Sequence, residues 1–426
     1  MPALFDARTV VNAKNAVYAV FALAGAAFAA FASRLPEIKS ILGLSAGELG
    51  VTLLAASLGS LLGLPAAGWL VHRFGAARTV GAGVIVGMLG ILTIGLGVDV
   101  FHSRWVVTAG LWGVGLGVGS WDVAMNIEGA VVERHLGHAI MPRFHAAFSG
   151  GTVVSALVGA AMAAIGARIV PHLAGIVALA ALVAWWALPR FLPRGGDEQS
   201  PKGVHDAATD HAQDAGRHTP SDAVPAAREG AGIGAAWREP RTILIGCVTL
   251  AAAFTEGTAN DWLSVAFVEG YHLEPWAGVL GFATFLSFMT IGRILGTSLL
   301  DKHGRVAMLR GTFALAVVGA AMVIFGGTVL AFIGAALWGL GASLGFPVGM
   351  SAAADDPARA AARVSVVSTI GYLAFLAGPP LLGFLGDHVG VLRSLVVVGG
   401  MVALALLAVP AVRESSPTAD SGVSER

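Results

Sequence analysis

Gly68-Trp69-Leu70-Val71-His72-Arg73-Phe74-Gly75-Ala76-Ala77-Arg78 separates two long apolar runs, and Leu299-Leu300-Asp301-Lys302-His303-Gly304-Arg305 separates two more in the matching place of the second half. A second echo joins the halves: Leu111-Trp112-Gly113-Val114-Gly115 is matched by Leu337-Trp338-Gly339-Leu340-Gly341. Two such matches at corresponding positions mark a chain built from a duplicated unit.

Outward from these loops, the apolar runs recur along the whole chain. A bilayer core of about 30 Å takes about 20 helical residues, and lipid leaves only closed hydrogen-bonded backbones such as helices stable within it. The spacing predicts spans over residues 15–33, 49–71, 79–99, 105–127, 146–166 and 169–189, then 242–264, 276–300, 311–327, 328–350, 364–386 and 394–412. The ninth and tenth meet at Gly326-Gly327. The predicted fold class is therefore all-α and membrane-integral, with twelve transmembrane helices in two pseudo-symmetric six-helix bundles. Residues 1–189 form the first bundle, 190–241 a linker without apolar periodicity that reads as disordered, 242–412 the second bundle, and 413–426 a tail.

Composition agrees, with 56% hydrophobic and 12% charged residues, where soluble domains carry roughly a quarter charged. Basic and acidic residues balance at 26 each, so no nucleic-acid partner is implied. The single cysteine, Cys247, excludes an internal disulfide, and no spacing suggests a metal site or cofactor. The segment before Asn15 reads as retained and not as a cleaved signal. With both termini on the linker side, that side holds 20 of the Lys and Arg residues and the other holds five. The positive-inside rule makes the linker side cytoplasmic, and a plasma (inner) membrane is the expected location.

Both loops resemble the signature loop of the major facilitator superfamily and occupy the two positions where that superfamily has it. Further motifs are similar to its rhizopine-transporter-like (MosC-like) subgroup and, more distantly, to the fucose:proton symporters. They are Arg34-Leu35-Pro36, Asp122-Val123-Ala124-Met125-Asn126 ending span four, Glu133-Arg134 with Met141-Pro142 and Phe144-His145 before span five, and Glu256-Gly257 with Asp261-Trp262 in span seven. The resemblance implies a transporter that works by alternating access, with no enzymatic reaction and no cofactor, carrying a small-molecule substrate and protons through the lipid bilayer as a monomer. It also implies that Gly68, His72, Arg73, Gly75, Arg78, Asp301, Lys302, Gly304 and Arg305 belong to the cytoplasmic gate. His72 departs from the pattern: the superfamily has a carboxylate there, which an imidazole does not replace as a partner for Arg.

Charged side chains inside spans are costly, so the few present point to function. Gly115, Gly119, Asp122 and Asn126 share one stripe of span four. The fucose resemblance makes Asp122 the proton-coupling residue; a carboxylate merely hydrating the helix end is the alternative. Thr249, Glu256 and Asn260 form a second stripe, on which Glu256 is a second coupling candidate. Asn126, Trp121, Asn260, Asp261, Trp262 and Arg34 are the substrate-binding candidates, since acids and amides hold hydroxyls while an indole covers an apolar face. Asp261 and Trp262 read equally well as interfacial residues near the outer end of span seven. Arg293 either pairs with an acid across the cavity or snorkels, and His145 is a gate or a helix-end histidine. The leading function is proton-coupled symport of a sugar-like or polyol-like solute. The alternative is proton-coupled efflux, against which span five, 146–166, offers no proline.

Overall fold

The computed structural model describes residues 5–138, 140–193, 229–356 and 359–414. Among the described residues, fifteen α-helices succeed one another in chain order. In the first half these are α1 Ala7–Ala32, α2 Leu35–Leu42, α3 Ala46–Phe74, α4 Ala76–Asp99, α5 Arg104–Leu136, α6 Met141–Ala164 and α7 Ile169–Ala187. A short helix, α8 Glu229–Ala236, precedes α9 Pro240–Tyr271, α10 Pro275–Phe325, α11 Gly327–Ala342, α12 Gly345–Ala353, α13 Ala360–Val389, α14 Val391–Ser394 and α15 Val396–Ala408.

Among the described residues, eleven helical stretches are long and apolar enough to cross a membrane. The longest, α10, runs 51 residues, and its backbone breaks at Gly304 (φ 76°, ψ 161°). At about 1.5 Å per residue it is more than twice a bilayer core. Split at the break, it supplies spans eight and nine, and the crossings number twelve. The junction expected at Gly326-Gly327 is present: Gly326 closes α10, and Gly327 opens α11 with φ +75°.

The helix ends follow local chemistry. Ser45 and Glu48 form a reciprocal cap on α3. Glu133, in the last turn of α5, accepts from the amides of Ile140 (2.5 Å) and Met141 (2.7 Å), so it caps the entry to α6. Pro240 and Pro275 sit in the first turns of α9 and α10, where no intrahelical donor is lost.

Close packing is carried by glycine. Gly90 of α4 and Gly110 of α5 face one another so tightly that a Cβ on Gly90 would stand 2.6 Å from the Gly110 carbonyl. Gly319 of α10 and Gly334 of α11 repeat the contact, with a Cβ on Gly319 again 2.6 Å from the opposite carbonyl. This pairing aligns the halves differently from the sequence echo. Gly115 lies against Ala56 and Ser60 of span two, and its counterpart by packing is Gly339, which lies against Phe285 and Met289 of span eight. The Leu-Trp-Gly strings are thus two residues out of structural register, which is why Trp112 is 43% exposed while Trp338 is fully buried.

Two expectations need correction. Span four does not end at Asn126: α5 continues to Leu136, because its final turns bury Glu128, Gly129 and Val132 instead of meeting water. The linker, residues 190–241, is not uniformly irregular, since Glu229–Ala236 is helical and Ala236 packs on Val366 and Ile370 of α13. Residues 194–228 of the linker and 415–426 of the tail lie outside the described residues.

Candidate functional site

The corrected length of α5 moves Asp122 from the end of a span to the middle of a 33-residue helix. Its side chain is half-buried, with no cation at ion-pair distance among the described residues. Asn126, one turn on, donates through Nδ2 to the Asp122 carbonyl at 2.9 Å and comes within 3.5 Å of Oδ1. The Asn126 amide oxygen is buried and meets no donor. Opposite stands Tyr372 of α13, in the second half, within electrostatic reach of the Asp122 carboxylate. Tyr372 is nevertheless 44% exposed. The two halves thus bring an acid and a phenol within electrostatic reach of one another midway along α5.

In the second half, Glu256 lies midway along α9, and its carboxylate takes a hydrogen bond of 2.9 Å from Arg293 Nη2 of α10. Arg293 Nε also points at the Ser343 carbonyl, 3.5 Å away. The two side chains keep 20% and 34% of their surface, so the pair is not sealed in protein. Arg293 therefore pairs with Glu256; the sequence left pairing and snorkelling equal. Asn260, one turn above Glu256, has a buried amide oxygen with no donor. Thr249 does not join them: its hydroxyl donates to the Ile245 carbonyl of its own helix at 2.9 Å, and the residue is fully buried.

The other candidates are not gathered here. Arg34 is 1% exposed inside the first bundle, where it donates to the Ala167 carbonyl at 2.5 Å and pairs with Glu37 at 2.8 Å. It braces the spans around it and, with Glu37, Asp99 and Arg168, lines a pocket of about 290 Å³ on the side away from the linker, apart from Asp122 and Glu256. Trp121 is fully buried, close against Gly83 of α4. Trp262 is fully buried and Asp261 half-buried, because α9 runs on to Tyr271; neither is interfacial. His145 is exposed at the start of α6, edge-on to Phe21.

The signature loops lie on the linker side. Gly75 and Gly304 adopt nearly the same backbone, φ 88°, ψ 160° and φ 76°, ψ 161°. Gly68, His72, Arg73 and Arg78 are solvent-facing or half-buried, as are Asp301 and Lys302. Arg305 reaches Asp355 at 2.6 Å and the Ser351 hydroxyl at 2.9 Å, and Arg241 meets the other Asp355 oxygen at 3.0 Å. Asp355 joins the start of span seven and the turn between spans eight and nine to the end of span ten, a role the sequence reading missed.

A further missed residue joins the halves on the opposite side. Asp387, at the end of α13, accepts from the Gly47 amide and from the Ser45 hydroxyl, each at 3.0 Å, at the N-terminus of α3. A carboxylate is favourable there, where unpaired amides and the helix dipole converge. Lys39 and Glu269 form an ion pair on the same side, and Ser57 donates to the Phe375 carbonyl at 2.7 Å deeper in the membrane. The signal for Asp387 was present: Leu385-x-Asp387-x-x-Gly390 repeats Leu70-x-His72-x-x-Gly75 and Leu299-x-Asp301-x-x-Gly304. Gly390 also has the same turn, φ 84°, ψ 148°.

Comparison with known proteins places the chain among transporters. The family model described as Major Facilitator Superfamily matches residues 17–379 and 279–425. An uncharacterized MFS-type transporter of Yersinia pestis is 30% identical over 381 residues, covering 88% of each chain. The membrane protein MosC of Rhizobium meliloti is 26% identical over 381 residues, 87% of this chain and 84% of that one. Among solved structures, the nucleoside transporter NupG covers 95% of this chain and 98% of its own, with a TM-score of 0.67 and 14% identity. The fucose:proton symporter of E. coli covers 94% and 98%, with a TM-score of 0.56 and 15% identity. At those identities the likeness is one of fold.

Proposed function

Because the chain belongs to the major facilitator superfamily and is a membrane-spanning transporter, we propose that it carries a small sugar-like or polyol-like solute by alternating access, driven by proton symport. The observation that carries this reading is Asp122, a carboxylate midway along α5 with no cation at ion-pair distance among the described residues and with Tyr372 of the other half within electrostatic reach. Such an acid can take and release a proton as access alternates. Asn126, Tyr372 and the Glu256–Arg293 pair supply donors and acceptors from both halves, as a polyhydroxylated solute needs. NupG and the fucose symporter, by the substrates in their names, move compounds of that chemistry. One chain furnishes both halves of the cavity, so a monomer suffices.

The contacts of Asp387, Lys39 and Ser57 close the side away from the linker, so this conformation is the one open to the linker side. The 20 to 5 distribution of Lys and Arg makes that side cytoplasmic. In proteoliposomes with an imposed proton gradient, Asp122→Asn abolishes gradient-driven accumulation while leaving solute counterflow. Unchanged accumulation removes Asp122 from coupling, and solute movement opposite to the proton gradient makes the protein an antiporter.

A further inference from the structure

On the linker side, away from the central polar groups, a cavity of about 280 Å³ opens between the break in α10 and the chain after the last span. Its walls include His303, Arg305, Arg310, Arg413 and Glu414. The floor is braced: Arg241 Nε donates to the Ala411 carbonyl at 3.0 Å and Nη2 to the Arg413 carbonyl at 2.9 Å, while Asp355 holds both Arg241 and Arg305. The C-terminal strand of chain is thereby fixed against the α10 turn. Among the described residues, the walls and floor gather the arginines Arg241, Arg305, Arg310 and Arg413 with the carboxylates Asp355 and Glu414. The Asp355 carboxylate is already shared between two of these arginines. Arg310 and Arg413 are exposed, and neither side chain has a hydrogen bond or ion pair among the described residues. Above Gly304 the space is open, with no atom within 4 Å of where a side chain would stand.

A braced, cationic cavity at the level where apolar spans give way to water has the position and charge of a phosphate site. Arginine suits the task, since its planar fork meets phosphate oxygens two at a time. We propose that this cavity binds a phosphate group through Arg310 and Arg413, and that its source is the headgroup of an anionic phospholipid such as phosphatidylglycerol. Basic pockets at the ends of membrane helices bind such headgroups, with about 1 kcal/mol per nearby Lys or Arg, roughly a fivefold change in affinity.

The test is native mass spectrometry of the full chain released from nanodiscs of phosphatidylcholine with increasing phosphatidylglycerol, with inorganic phosphate as a separate arm. The expected result is one retained phosphatidylglycerol, with retention weakened roughly 25-fold in the Arg310→Gln, Arg413→Gln double variant, fivefold for each charge removed. Arg73→Gln with Arg78→Gln, on the loop of the other half, leaves that one lipid in place. Glu414→Gln strengthens retention, a gain that a folding defect cannot imitate. Protection of the cavity by inorganic phosphate with no lipid retained assigns the site to a soluble phosphate. Equal retention in the two double variants, or binding of neither probe, overturns the proposal.

Discussion

Removing either member of the Glu256–Arg293 pair is expected to have unequal consequences, and the inequality follows from the geometry. The two groups meet at 2.9 Å with 20% and 34% of their side-chain surface still exposed. Charges about 4 Å apart attract by about 4 kcal/mol at an effective dielectric of 20, before desolvation is subtracted. Breaking a fully buried pair costs about 3–5 kcal/mol, and the remaining exposure cuts this to about 2 kcal/mol for Glu256→Gln. That variant leaves a guanidinium, which cannot give up its proton, without a counter-charge, facing only neutral acceptors such as the introduced amide and the Ser343 carbonyl at 3.5 Å. Arg293→Gln leaves a carboxylate that can neutralise itself by binding a proton, and about 1 kcal/mol is expected. The double variant strands no charge and should also lose about 1 kcal/mol, a coupling of about 2 kcal/mol. Unfolding midpoints of the four proteins in one detergent give the comparison. If Glu256→Gln is no worse than Arg293→Gln, or if the two effects simply add, the pair does not hold the second half in the way described.

Two further outcomes follow from contacts at the membrane surfaces. Asp387→Asn weakens two charge-assisted hydrogen bonds at the α3 N-terminus; at an exposed site these amount to about 1–2 kcal/mol, a factor of roughly 5–30 in the ratio of conformers. Spin labels at Ile41 and Val389, both 48% exposed and in different halves, should show the longer distance populated by that factor in a Cys247→Ser background, and an unchanged distance distribution would sink the latch. Glu239, just before α9, is held below the usual glutamate range chiefly by the hydrogen bond from Arg363, with Thr242 and Arg359 adding to it and burial opposing. A lowered carboxyl stabilises above its unfolded value and loses that contribution as pH falls. Thermal stability should therefore decline as pH drops below about 4.3, the ordinary glutamate value, and Glu239→Gln should flatten that part of the profile.

The twelve crossings were legible because each is an apolar run long enough to span lipid, and Gly326-Gly327 marked its junction by composition alone. Two features of the candidate site escaped. Asp122 falls near the end of a span when the apolar run is closed at residue 127, whereas α5 continues to Leu136 and Glu133 is consumed in capping α6. Trp121 and Arg34 read as ligands by residue type, yet helix rotation turns Trp121 into the first bundle and the break between α1 and α2 buries Arg34. Rotation is set by glycine contacts between helices, and the structure had to supply which glycine meets which. The Leu-Trp-Gly echo shows the difficulty: identical strings two residues out of register bury one indole and expose the other.

The turn shared by Gly75, Gly304 and Gly390 occurs on both faces of the membrane, and its carboxylate three residues earlier is kept at Asp301 and Asp387 and replaced at His72. The Asp387 contacts hold the far face shut. In a carrier cycle the reopening of that face by the unloaded protein is then the step expected to be slow, and one-for-one exchange of labelled for unlabelled solute is expected to outrun net filling of a vesicle.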